Sequence, residues 1–276
     1  MTLKIAVVQP KTFRLGDEHR NVERALGYLD EAVQRGARIV CFPEMYPGPA
    51  HPSNSFAADE LAERAKQHGV YVIKGRIQKE QDGARPRHSV CADLIGPDGR
   101  LRGTYRRTEP TTGHIYRDVP AWNFDYLQFD DLPVFDTEFG RIGVLICSEV
   151  YAPELARILA LKGAEIVFFP AGALINELMP TWKTMVWARA IENLMYTAAC
   201  QNLYGVEEGV AMICSPEAVL AEDRGEAVLV AEADLERVRW LRAQEQKIEI
   251  PKQYKVVPGL LRWRRPALFK RNYGDW

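Results

Sequence analysis

The sequence predicts an α/β protein, and two observations carry that prediction. Short apolar runs alternate with stretches of helical spacing along the chain, and one strand-helix-strand unit occurs twice. The run Gly36-Ala37-Arg38-Ile39-Val40-Cys41-Phe42-Pro43-Glu44 matches Gly163-Ala164-Glu165-Ile166-Val167-Phe168-Phe169-Pro170-Ala171 at six of nine positions. Each copy follows a helix-like stretch that is itself preceded by a short strand, residues 4–9 in the first unit and 141–146 in the second. Two such units meet along one sheet edge or pack as facing sheets, with the functional ends of both strand pairs on one side.

Taken in order, residues 4–9 form the opening strand. Residues 17–34 carry Val22, Ala25, Leu26, Leu29, Ala32 and Val33 at helical spacing, and Gly36 stops that helix. The strand ending at Glu44 leads into Pro47-Gly48-Pro49, a loop of the kind that rims binding sites. A second helix over about 57–68 leads through Gly69 to a strand at 70–73. A hairpin joins 89–95 to 101–105 through Gly96-Pro97-Asp98-Gly99. Residues 108–133 lack periodicity and are rich in aromatics (Tyr116, Trp122, Phe124, Tyr126), which predicts an irregular segment shaping a substrate pocket. A strand at 141–146 precedes a helix at 152–160. A helix over 181–196 comes next, then closing strands at 212–214, 218–220 and 227–232. The final stretch from about 240 reads as an extended arm on a single domain spanning 1–276.

Bulk composition excludes several function classes. A chain of 276 residues, 47% hydrophobic and 26% charged, is long enough for one large core. A formal net charge of -1 argues against a broad nucleic-acid or membrane footprint. Arg262-Trp263-Arg264-Arg265 with Lys270 and Arg271 is a local basic-aromatic cluster, read as a tail packed across a neighbouring surface. No apolar run approaches the roughly 18 residues of a membrane span, and Met1 runs directly into a strand, so a cytoplasmic location is expected. Five widely spaced cysteines without a C-x-x-C pair suggest neither a disulfide framework nor a zinc site, and no metal or cofactor is implied.

The chemistry gathers at two strand ends. Cys147 closes an apolar run just ahead of a helical pattern, where α/β folds hold ligands and a helix N-terminus favours a thiolate. Glu44 closes the other run, and one carboxylate can take the proton of a thiol and later return it to a leaving group. Read alone, Cys147 is equally a small core residue and Glu44 a cap or ion-pair partner.

Phe42-Pro43-Glu44 with Pro47-Gly48, the hairpin ending Gly103-Thr104-Tyr105-Arg106-Arg107, the block 143–149 with Pro153-Glu154-Leu155-Ala156-Arg157, the run 188–193, and residues 228–235 occur in the order and spacing of the nitrilase, or carbon-nitrogen hydrolase, superfamily. The chain resembles that family over nearly its whole length. The resemblance implies a four-layer α-β-β-α sandwich, a homodimer formed through helices, and a Glu-Lys-Cys triad that cleaves amides or nitriles through a thioester. Carried over, Glu44 matches the base and Cys147 the nucleophile. Arg107 stands where the family has lysine, giving an altered Glu-Arg-Cys triad, and no acidic residue stands near His114, where many members place a second glutamate. An arginine there is expected to serve as an oxyanion donor, to pair with Glu44, or to bind a substrate carboxylate.

The remaining candidates are His114 and Tyr116, expected to line the substrate pocket, and Glu149, expected to contact substrate or to orient the thiol loop. Arg189 and Glu192, three apart, read as a structural ion pair or subunit contact. The leading function is thiol-dependent hydrolysis of a small amide, carbamoyl compound or nitrile. The alternatives are transfer of the same acyl group to an amine, and a non-catalytic binding protein that has lost the lysine.

Overall fold

Two six-stranded sheets pack face to face in the computed structural model, which describes residues 3–49, 58–82, 85–108, 127, 129–172, 176–205, 208–244 and 254–273. The first sheet has the order β12-β1-β2-β3-β4-β5 and the second β11-β10-β9-β8-β7-β6. The strands are β1 Leu3–Gln9, β2 Ile39–Cys41, β3 Tyr71–Asp82, β4 Arg85–Ile95, β5 Leu101–Arg106, β6 Phe135–Asp136, β7 Arg141–Val144, β8 Ile166–Ala171, β9 Tyr196–Gln201, β10 Ala211–Cys214, β11 Val219–Asp223 and β12 Ala227–Ala233. The helices are α1 Asn21–Gln34, α2 Asp59–His68, α3 Pro153–Leu161, α4 Met179–Asn193, α5 Leu235–Ala243 and α6 Pro266–Tyr273.

The repeat seen in the sequence is the centre of each sheet. β1, β2 and β3 run parallel, linked through α1 and α2. β7, β8 and β9 do the same through α3 and α4. Gly36 and Gly163, the matched glycines, sit at φ 89° and 97°, a region that disfavours a Cβ. Of the two arrangements open to the repeated units, facing sheets is the one formed. Ile5, Ile39 and Ile73 of the first sheet share one buried cluster with Ile142, Phe168 and Ala198 of the second. The other face of the first sheet is closed by α1 and α2 through Leu29, Leu61, Val40 and Val72. On the second sheet, Leu159 of α3 lies over Gly143, where a Cβ would stand 2.9 Å from it. The four-layer sandwich is therefore present.

Several elements differ from expectation. The first helix begins at Asn21, because residues Leu15–Arg20 form a 3-10 turn. β3 and β4 extend far beyond the apolar runs and pair from Val72↔Ile95 to Asp82↔Arg85. The helix expected to reach residue 196 stops at Asn193, where Leu194 takes φ 47°, and the chain turns at once into β9. The arm expected from about 240 is not wholly extended. It follows α5, which Asp234 caps by accepting the N–H of Arg237, and carries α6 near its end. All residues of α6 are exposed, and Tyr273 donates to Glu154 of α3, so the basic tail does lie across a neighbouring helix.

Candidate active site

Both repeated units deliver a side chain to one place. Glu44 lies three residues beyond the end of β2, Arg107 directly follows β5, and Cys147 lies three residues beyond β7. The glutamate is 4% exposed and the arginine 2%. Arg107 Nη1 donates to Glu44 Oε1 at 2.9 Å, and Nη2 donates to Ser148 Oγ at 2.6 Å. The Cys147 thiol and the Gly172 main chain also act on the Glu44 carboxylate, each favouring its charged form. Thus residues 63 and 103 positions away in sequence converge on one buried carboxylate.

The backbone around the base is crowded. Met45 takes φ 58°, and a Cβ on Gly75 would stand 2.2 Å from the Met45 nitrogen and 2.7 Å from the Pro43 carbonyl oxygen. Gly75 therefore lets β3 run directly beneath the loop that carries Glu44, and its N–H donates to the Tyr46 carbonyl at 2.7 Å. Gly172 is equally close on the other side, since a Cβ there would lie 2.9 Å from Glu44 Oε2. Asn202, fully buried after β9, donates to the Glu44 carbonyl at 2.8 Å.

Electrostatics in this pocket are set by burial. Desolvation raises the carboxyl of Glu44 above its ordinary range, opposed by Arg107 and by the hydrogen bonds from Cys147 and Gly172. Burial, and then the charge of Glu44, push the Cys147 thiol up to about 11, with Arg107 acting in the opposite direction. Burial works against the charge of Arg107, but the charges of Glu44, Cys147 and Glu149 outweigh it and raise the guanidinium. The expectation of a helix-stabilised thiolate is corrected here. Cys147 opens a 3-10 turn, Cys147–Tyr151, and α3 begins only at Pro153, so a short turn replaces the dipole of a helix start. The resting thiol is protonated and lies beside a base.

Glu149, 2% exposed, has an orienting geometry. Its carboxylate accepts from Tyr105 Oη at 2.8 Å, from the Thr108 N–H at 2.8 Å and hydroxyl at 2.6 Å, and from the Ile146 N–H at 2.5 Å. Tyr105 and Thr108 flank Arg107, and Ile146 precedes the nucleophile. The carboxylate expected to contact substrate is thus engaged by the protein, and it ties the arginine's strand to the thiol's turn. Arg189 pairs with Glu192 at 2.7 Å, as its spacing suggests, and also donates Nε to the Val150 carbonyl at 2.9 Å within that turn. His114 and Tyr116 lie outside the described residues. Sequence reasoning missed Ser148, Gly172 and Asn202; the first adjoins the nucleophile, and the other two act through main-chain contacts that leave no side-chain pattern.

Among the described residues, no group of three or more His, Cys, Asp and Glu side chains is arranged to hold a metal, and no helix is long and apolar enough to cross a membrane.

The family model for carbon-nitrogen hydrolases matches residues 4–243. The chain is 31% identical over 246 residues to omega-amidase NIT2-A of Xenopus laevis, covering 81% of this chain and 86% of that protein. It is 31% identical over 259 residues to a nitrilase of Pyrococcus abyssi, covering 86% and 92%. The fold is shared with the amidase from Nesterenkonia sp. AN1, in a variant with glutamine in place of a glutamate that shows covalent addition of the acetamide moiety of fluoroacetamide at the active-site cysteine. That match has a TM-score of 0.74 at 19% identity, covering 98% of this chain and 96% of the other. By its family model and its relatives alike, this chain belongs to the carbon-nitrogen hydrolase family.

Proposed function

We propose that this protein hydrolyses the C–N bond of a small amide through a thioester on Cys147. The observation that carries the reading is the buried Glu44 carboxylate, which accepts from the Arg107 guanidinium at 2.9 Å and interacts with the Cys147 thiol. In the reaction Glu44 takes the thiol proton as sulfur attacks the carbonyl carbon and the C–S bond forms. The oxyanion that results develops beside the Arg107 guanidinium, a placement of charge that typically contributes about 3–4 kcal/mol per donor. Collapse breaks the C–N bond as Glu44 passes its proton to the nitrogen, and ammonia leaves. Water then adds to the thioester, Glu44 takes its proton, and the acid departs as the thiol is restored.

A raised thiol and a raised carboxyl suit this sequence of steps. Neither group needs to be ionised by a separate partner before substrate arrives, because the proton passes directly from sulfur to the neighbouring carboxylate. The likeness to an omega-amidase and to an amidase that is modified at its cysteine favours amides over nitriles. The test is ammonia release from omega-amides of small dicarboxylic acids, simple aliphatic amides and nitriles, combined with mass spectrometry after fluoroacetamide treatment. An acetamide adduct on Cys147 with turnover of at least one amide is expected. No ammonia from any amide and no adduct would overturn the proposal.

The Arg107–Glu44 pair supports a second reading, in which the arginine holds the base too tightly for hydrolysis and the site binds rather than cleaves. Amide turnover that appears in Arg107→Lys and is absent from the wild type is the outcome of that reading. A homodimer belongs to the proposal too. Ile158 and Leu161 of α3 lie exposed beside Trp263, Phe269 and Tyr273 of the C-terminal arm, an apolar surface that a second copy would cover. Sedimentation at micromolar concentration giving only monomer would remove that part.

A further inference from the structure

A lysine ammonium is a compact charge, whereas a guanidinium is a rigid fork whose donors point where its plane is held. Here the two tines are held by different sheets. Nη1 of Arg107 donates to Glu44, which lies beyond β2 of the first sheet, and Nη2 donates to Ser148 Oγ at 2.6 Å, which lies beyond β7 of the second. Arg107 is buried on the floor of the site, while Ser148 is half-buried and directly adjoins Cys147.

The geometry points to Ser148 as the positioning residue that fits an arginine to this site: its hydroxyl anchors Nη2 and keeps the guanidinium beside the Cys147 thiol. The inference rests on the reading of Cys147 as the nucleophile. Without that anchor the guanidinium loses the bond that opposes bidentate closure on the Glu44 carboxylate, the arrangement that arginine and carboxylate prefer. Such closure draws the positive charge away from sulfur and ties up the base. The serine oxygen accepts from Arg107 Nη2 and retains its own proton for donation, so the anchor forms without consuming the hydroxyl. A lysine at 107 offers no second tine and gains nothing from the serine. The two residues therefore act as one unit, a relation that neither the base nor the nucleophile requires by itself.

A double-mutant cycle tests this. Arg107→Lys is combined with Ser148→Val and with Ser148→Thr, which share a shape but differ in the hydroxyl, and thermal midpoints establish that each variant folds. The readout is the rate of Cys147 alkylation by iodoacetamide at about pH 9, which tracks the charge beside the thiol and requires no hydrolysis. With Arg107 present, Ser148→Val is expected to slow alkylation about 5- to 10-fold, and Ser148→Thr to retain the wild-type rate within about 2-fold. With Lys at 107, Ser148→Val and Ser148→Thr are expected to differ by less than about 2-fold. Equal slowing in both backgrounds, or none with Arg107, overturns the inference. Ammonia release is measured on the same proteins: coupling in alkylation without any amide turnover sinks the hydrolase reading and leaves the Ser148 role intact, and turnover with an additive cycle does the reverse.

Discussion

Asn202 donates its side-chain N–H to the main-chain carbonyl of Glu44 at 2.8 Å, and its own backbone N–H donates to the carbonyl of Gly172, also at 2.8 Å. The Thr12 hydroxyl donates to the remaining side-chain oxygen at 2.9 Å. One buried asparagine therefore fixes the base's backbone relative to the glycine that packs against the base's carboxylate. Replacing it by alanine leaves the buried Glu44 carbonyl short of this donor and removes one of the two acceptors of the Thr12 hydroxyl, the other being the Pro10 carbonyl at 3.2 Å. Asn202→Ala is expected to lower stability by about 1–3 kcal/mol, read from urea midpoints, and to reduce kcat more than it changes KM.

Glu149 is expected to be the more damaging loss. Glu149→Gln replaces one of two acceptor oxygens with an NH2, which must face either the Thr108 N–H or the Ile146 N–H, a donor against a donor. A fall in stability of about 2–4 kcal/mol is expected, with alkylation of Cys147 altered because its turn is no longer tied to the Arg107 strand. Stability equal to wild type would show that the carboxylate is not a tie.

The pH dependence has a definite sign. With the thiol pushed up to about 11, the thiolate fraction and the direct alkylation rate should climb about tenfold per unit between about pH 7 and 10. Glu44→Gln removes the negative charge that helps to push the thiol up, so alkylation at about pH 9 should become faster while amide turnover is lost. Slower alkylation in Glu44→Gln would mean that the carboxylate activates the thiol in the resting protein. Because burial raises Glu44, wild-type turnover should fall as acidity increases through a value above the usual carboxylate range.

Gly75→Ala tests the crowding beneath the base. The added methyl meets backbone atoms of Met45, Pro43 and Glu44, none of which can rotate aside. A loss of about 1–3 kcal/mol is expected together with a marked fall in kcat, since relief requires the Glu44 loop to lift. Full activity with unchanged thermal midpoint would show the loop to be yielding.

The repeated centre of the two sheets is legible in the sequence because β2 and β8 are buried on both faces and keep the same glycine, isoleucine, valine, phenylalanine and proline pattern. Cys147 and Glu44 are legible as polar endings of apolar runs. The polar half of β3, from Lys74 onward, is not, because its outward residues form ion pairs such as Arg76 with Asp93 and mask the strand period. β9 is hidden because it is wholly buried and comes after Leu194, a left-handed stop that carries none of the usual glycine signal. α5 has a readable cap in Asp234, yet its short apolar stripe of Leu235, Val238 and Leu241 reads as the start of a tail. Asn202 and Gly172 carry no pattern at all, since what they contribute is main-chain contact across the gap between sheets.

That gap gives the protein an unusual kind of sensitivity. Base and cation follow strands of one sheet and sulfur follows a strand of the other, so the spacing between them depends on the hydrophobic interior between the sheets as well as on the loop that carries Glu44. Each methyl group between the sheets acts as a shim. Thinning a layer such as Phe168 or Ile39 should register in the rate of the chemistry at a distance, with no substrate contact altered, and catalytic rate becomes a gauge of how well the core is packed.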